Sequence, residues 1–138
     1  PPVRAFIQAR MSSERFPGKV LAPFRGRPLL AHVAEKVAGA LPLGRLVLAT
    51  SAEASDDPLA CYARRELGLR VFRGPLGDVV KRFQLCLAAN PCEWFFRVCA
   101  DSPLYDAGIL KKMLAFCKSL EGAADPKAEL ARAAGKSI

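Results

Sequence analysis

Three features of the 138-residue sequence predict an α/β fold: a mainly parallel sheet in three layers, with Rossmann-like βα repeats. Short apolar runs alternate with longer amphipathic stretches in the order βαβαβαβα. The runs are almost unbroken, as expected for strands buried on both faces. The stretches between them are long enough for crossover helices, which cover both faces of such a sheet.

Val3 to Ala9 reads as the first buried strand. Pro28 to Leu41 reads as a helix, because Leu29, Leu30, Val33, Val37 and Leu41 recur at helical spacing. His32, Glu35 and Lys36 fall on its other face. "RLVLAT", Arg45 to Thr50, is the second strand. Ser55-Asp56-Asp57-Pro58 then has the make-up of a helix start, with a capping serine, acids at the positive end and an early proline. That helix runs to about Leu67 and stops at Gly68, ahead of a short strand at Leu69 to Arg73. Gly77 to Ala89 is the next helix, and "EWFFRVC", Glu93 to Cys99, the fourth strand. Asp106 to Leu120 closes the pattern as a helix burying Ile109, Leu110, Met113, Leu114 and Cys117, with Lys111, Lys112 and Lys118 in water. From Glu121 the chain turns rich in Ala and charge without a further strand. The expected division is a nucleotide-binding α/β domain over 1–120 and a tail over 121–138.

Lys plus Arg number 21 against 13 Asp plus Glu, a net charge of +8, so an anionic partner is expected. The cations are scattered, aromatics are few, and no helix-turn-helix, zinc-finger or RNP1 pattern is present. Small phosphorylated ligands therefore rank above nucleic acid. The five cysteines have no CxxC spacing, and His32 is the only histidine, so no familiar zinc pattern forms. They read as reduced thiols of a cytoplasmic protein. No signal-peptide pattern and no apolar run of membrane-spanning length is seen. Pro1-Pro2 without a methionine reads as a start from which residues were trimmed or omitted.

Ligands of open α/β sheets bind beyond the carboxyl ends of the strands. Strand one is followed by Arg10, Ser12, Ser13, Arg15, Gly18 and Lys19; strand two by Thr50 and Ser51; strand three by Arg73 and Gly74; strand four by Asp101. Guanidinium groups can grip phosphate oxygens through paired hydrogen bonds, lysine adds a compact charge, and serine hydroxyls add neutral donors. The opening loop, "QARMSSERFPGK", is therefore expected to hold phosphates. It is neither a Walker A motif nor GxGxxG. "GKS" at Gly135 to Ser137 imitates the end of a P-loop, but Leu130 stands where the first glycine belongs.

Asp101 has two readings side by side. Its carboxylate suits Mg²⁺, which takes one or two protein carboxylates and completes its shell with phosphates and waters. Equally, Asp101 or Ser102 could cap a turn begun by Pro103. Asp78 and Arg82, four apart, read as a helix-surface ion pair, with Asp78 also kept as a site candidate. Asp56 and Asp57 read as capping residues and His32 as a helix surface residue, none of them catalytic.

Taken in order, "FIQARMSSERFPGKVLAPFRGRPLLAHVAEKV", "LVLATS", "DDPLACYARRELGLRVFRGPLGDVVKRF" and "RVCADSPLYD" resemble the cytidylyltransferases of the spore-coat polysaccharide biosynthesis protein F type. These are relatives of the CMP-Kdo and CMP-sialic acid synthetases, and the resemblance covers Val3 to about Leu120. It implies a nucleotide-diphospho-sugar transferase fold, GT-A-like. It also implies CTP-dependent activation of a sugar or sugar acid as CMP-sugar with release of pyrophosphate, in surface polysaccharide biosynthesis. By position it implies a triphosphate grip of Arg10, Ser13, Arg15 and Lys19, with Ala9 and Ser12 at the same strand end. Thr50 and Arg73 are implied as nucleoside contacts, Asp78 as the acid of the "RG…DV" motif, and Asp101 as the Mg²⁺ ligand. Arg10, Lys19 and Asp101 would then carry the catalysis. Departures from the family pattern are Ser12 for glycine, Glu14 for threonine, Phe16 for leucine, and Cys99 for a hydroxyl residue. The family is also usually far longer, so a truncated member is expected, with a non-catalytic nucleotide-binding remnant as the alternative and a homodimer as a possible assembly.

Overall fold

The computed structural model describes residues 3–12, 17–100 and 107–121. Four parallel strands form the central sheet: β1 (Val3–Gln8), β4 (Leu46–Ser51), β5 (Arg70–Gly74) and β6 (Trp94–Cys99), in the order β5-β4-β1-β6. Ala5 to Gln8 of β1 align with Leu46 to Ala49 of β4, and Val3 to Gln8 align with Trp94 to Cys99 of β6. β4 is buried along its whole length, because it lies inside the sheet with helices on both faces. Full burial of a leucine or phenylalanine side chain is worth about 1.5–3 kcal/mol, so Phe6, Ile7, Leu46 and Leu48 anchor the sheet.

Alternation along the strands separates two cores. On one face Ala5, Ile7, Leu46, Leu48, Phe96 and Val98 pack against α1 (Leu29–Ala38) and α2 (Asp57–Arg65). On the other, Phe6, Val47, Ala49 and Phe72 pack against α3 (Val79–Ala89) through Cys86, Phe83 and Leu87. The three-layer α/β expectation is thus met. α2 ends as the glycine at 68 implied: Gly68 takes a left-handed φ of 66°, and Leu69 N–H returns to the carbonyl of Ala63 at 3.0 Å.

Several details differ from the sequence reading. A two-residue hairpin, β2 (Pro23–Phe24) with β3 (Arg27–Pro28), precedes α1. Its turn residues Arg25 and Gly26 have φ of 51° and 81°, the pair of positive values that tight hairpins require. Strands of two residues leave no alternation to detect. α2 starts without a side-chain cap: Asp56 stands at the capping position but its carboxylate bonds elsewhere. His32 is half-buried, with Nε2 at the carbonyl of Phe24, so it braces the hairpin rather than lying on an open surface. In α4 (Ala107–Glu121), Met113 is 44% exposed, not buried, while the partly buried Leu114 packs against the core and Lys111 and Lys112 face water as expected. Residues 122–138 of the expected tail lie outside the described residues.

Candidate functional site

The loop after β1 turns back on itself at Met11. Gly18 adopts φ 74°, a left-handed conformation that glycine takes without a steric penalty, and its N–H donates to the carbonyl of Met11 at 2.7 Å. That closure sends the chain into a short 3₁₀ turn, Lys19–Leu21, seated on the core by the buried Val20. At the carboxyl ends of β1 and β6 a cleft of about 230 Å³ opens, lined by Gln8, Ala9, Arg10, Ser12, Lys19, Val20, Cys99 and Ala100.

Four residues picked out from sequence thus share one cleft: Ala9, Arg10, Ser12 and Lys19. Arg10 and Lys19 are exposed. Ser12 Oγ is buried and has no hydrogen-bond partner among the described residues, an orphaned donor at the cleft wall. Ser13, Arg15 and Asp101 lie outside the described residues.

Thr50, Arg73 and Asp78 are not among the lining residues. Thr50 is fully buried, its hydroxyl without a partner among the described residues. Arg73 spends its guanidinium internally: Nε donates to Ser51 O at 2.8 Å, Nη2 to Glu53 O at 2.7 Å, and Nη1 lies 2.7 Å from Asp57 Oδ1. Asp78 caps α3, its Oδ1 accepting from Lys81 N at 2.9 Å. The Asp78–Arg82 surface ion pair is not formed. Arg82 is completely buried, and its Nη1 donates to Pro75 O at 3.1 Å and Leu76 O at 3.4 Å. Nε and Nη2 of Arg82 have no partner among the described residues. The guanidinium turns under the β5–α3 loop because Gly74 leaves room: a Cβ there would stand 3.1 Å from Arg82 Cγ.

Sequence reasoning missed Gln8 and undervalued Asp56. Gln8 Oε1 accepts from Arg97 Nε at 2.9 Å, and Arg97 also lies over the Phe83 ring at 5.5 Å, which holds the cleft wall on the α3 side. Asp56 is fully buried, and its Oδ1 accepts the Met11 N–H at 2.6 Å while Oδ2 accepts from Ser51 Oγ. Burial pulls Arg82 below the ordinary guanidinium value, and the neighbouring charge of Arg10 adds to this; Asp56 works in the opposite direction.

Among the described residues no group of three His, Cys, Asp or Glu side chains converges as a metal site. The lining residues include no carboxylate. Asp101, the carboxylate expected to meet Mg²⁺, lies outside the described residues.

The parallel sheet and its likeness to solved cytidylyltransferase structures place the chain in the nucleotide-diphospho-sugar transferase fold. Residues 5–126 match the family described as cytidylyltransferase, and the chain belongs to that family. It is 36% identical over 112 residues to the spore coat polysaccharide biosynthesis protein SpsF of Bacillus subtilis (strain 168), covering 78% of this chain and 46% of the relative. It is 42% identical over 115 residues to the 3-deoxy-manno-octulosonate cytidylyltransferase of Geobacter sulfurreducens (strain ATCC 51573 / DSM 12127 / PCA), covering 82% and 44%. A solved cytidylyltransferase structure from Leptospira borgpetersenii serovar Hardjo-bovis (strain JB197) superposes with a TM-score of 0.77 at 32% identity, covering 82% and 47%. The chain spans just under half the length of each of these three proteins.

Proposed function

We propose that the protein is a CTP-dependent cytidylyltransferase that activates a sugar acid as its CMP derivative. One observation carries this reading: Arg10, Ser12 and Lys19 line a single cleft at the carboxyl end of β1. Two cations and an unsatisfied hydroxyl suit the oxygens of a triphosphate. In the proposed reaction a sugar hydroxyl attacks the α-phosphorus in line; the new P–O bond forms as the bond to pyrophosphate breaks, and the hydroxyl proton leaves to solvent water. Arg10 and Lys19 offset the negative charge that grows on the departing pyrophosphate, and Ser12 Oγ–H donates to a phosphate oxygen. Asp101 is the carboxylate we assign to Mg²⁺. Arg73 and Asp78 shape the sheet edge through the bonds that brace the end of β4 and the start of α3, while Thr50 lies buried within β4. Ser13 and Arg15 complete the grip by their place in the loop. Free thiols at Cys61, Cys86, Cys92 and Cys99 support a reducing, cytoplasmic setting, and no helix among the described residues is long and apolar enough to cross a membrane.

The test is a calorimetric titration with CTP, followed by a pyrophosphate-release assay with CTP, Mg²⁺ and 3-deoxy-octulosonate. Saturable binding with pyrophosphate release is expected, and Lys19→Ala lowers both. Binding without release removes the catalytic reading and leaves the non-catalytic nucleotide-binding one standing. No binding removes both.

A further inference from the structure

Asp56 does work that its place before α2 conceals. A carboxylate buried this completely is tolerated only when its oxygens accept hydrogen bonds. The nearest such bond, to the first turn of its own helix, is not made. Forgoing a side-chain cap costs roughly 1 kcal/mol. The carboxylate instead reaches 45 residues back along the chain to the Met11 N–H, and its second oxygen accepts a hydrogen bond from the Ser51 hydroxyl. Ser51 Oγ in turn accepts from Glu53 N at 3.2 Å, which folds the end of β4 around the carboxylate.

Met11 is the decisive partner. It stands between Arg10 and Ser12, which both line the cleft, and its carbonyl receives the Gly18 N–H that closes the loop just before Lys19. Holding its amide therefore sets the directions in which all three ligand-facing side chains leave the backbone. Without Asp56 the loop would still close on itself through Gly18 but would lose this bond to β4. Arg82 supplies opposite charge nearby, yet no hydrogen bond or ion pair joins the two, so both carboxylate oxygens stay committed to Met11 and Ser51.

We propose that Asp56 is the positioning residue of the phosphate-binding loop, fixing Arg10, Ser12 and Lys19 against the end of β4 through the Met11 amide. The loop's ligand rests on the nucleotide reading above; the fastening itself does not.

Two measurements on the full chain separate the two. The first is hydrogen exchange at the Met11 amide in wild type, Asp56→Ala and Asp56→Asn, with the amides of Leu46 to Ser51 as the internal reference. Loss of a hydrogen bond to a charged acceptor should speed Met11 exchange about 30-fold in Asp56→Ala while the β4 amides keep their protection. Asp56→Asn retains one acceptor oxygen and should fall between the two; it also serves if Asp56→Ala does not fold. Unchanged Met11 exchange in a folded variant overturns the proposal. The second is CTP affinity, expected to fall roughly tenfold in Asp56→Ala with the urea-unfolding slope unchanged. A freed Met11 amide with undiminished CTP affinity also overturns it. If wild type binds no CTP, the nucleotide reading fails, and Met11 exchange alone decides whether Asp56 positions the loop.

Discussion

Arg82, which no solvent reaches, donates from Nη1 to the carbonyl oxygen of Pro75 across 3.1 Å. The same nitrogen meets Leu76 O, so one buried cation holds the loop between β5 and α3. Arg82→Ala would leave a cavity and free both carbonyls, whereas Arg82→Met would keep most of the volume and remove a desolvated charge. Both variants leave Asp56 without its nearby opposite charge, so their difference isolates packing. Urea unfolding should place Arg82→Met about 2 kcal/mol above Arg82→Ala in stability. Equal stabilities would show that the side chain's volume contributes little.

The side chains of Arg10 and Lys19 form no hydrogen bond or ion pair among the described residues, and both residues are exposed. Replacing either by alanine should change unfolding free energy by less than about 0.5 kcal/mol. CTP affinity should nonetheless fall at least about tenfold, because each loses a charged contact to phosphate. The salt dependence of binding should weaken in parallel. A calorimetric series at two ionic strengths checks both; retained affinity in both variants would dismiss the loop as the phosphate grip.

The Arg73–Asp57 contact is unequal. Arg73 Nη1 meets Asp57 Oδ1 at 2.7 Å, but the Asp57 side chain is 62% exposed and that of Arg73 only 25%. Asp57→Asn should therefore cost under about 1 kcal/mol, as an exposed pair does. Arg73→Met also loses the bonds to Ser51 O and Glu53 O and should cost about 2 kcal/mol. Thermal unfolding of the two variants compares them directly, and a larger loss from Asp57→Asn would reverse the assignment.

Burial, helped by nearby Cys92, pushes the Cys86 thiol from 9.0 up to about 11. The folded state thus holds this proton more tightly than the unfolded chain. Its contribution is complete below pH 9, shrinks as pH rises, and is lost once pH passes the folded value near 11. The stability difference between wild type and Cys86→Ala should narrow by on the order of 2 kcal/mol between pH 8 and pH 11. A difference that stays constant over that range would show that the thiol is not shielded. Iodoacetamide at pH 8 should label the exposed Cys61 well before Cys86.

Much of the scaffold was legible along the chain. Leu29, Leu30, Val33, Val37 and Leu41 recur at helical spacing, and all five are buried. Gly68 marked the end of α2, because a left-handed residue there favours glycine. Met113 misled because helical spacing alone does not show how wide a face the neighbouring elements cover.

The site was legible only in part. Arg10, Ser12 and Lys19 could be picked out because a strand's carboxyl end and the residues just after it are neighbours in sequence as well as in space. Asp56 and Arg82 could not. Near a helix start, an acid reads as a cap, and an Asp/Arg pair four apart reads as a surface ion pair. Their observed partners, Met11 for one and the Pro75 and Leu76 carbonyls for the other, are set by packing.

The sequence by itself determined the alternation of strands and helices and the basic character of the loop after β1, since both depend on local periodicity and composition. The strand order β5-β4-β1-β6 was decided only by the tertiary structure, as was the turning of Asp56 away from its own helix. The physical reason is burial. Asp56, packed in the turn between the enclosed β4 and α2, cannot stay hydrated and must take the hydrogen-bond donors that the fold brings within reach, however far away they lie in the chain.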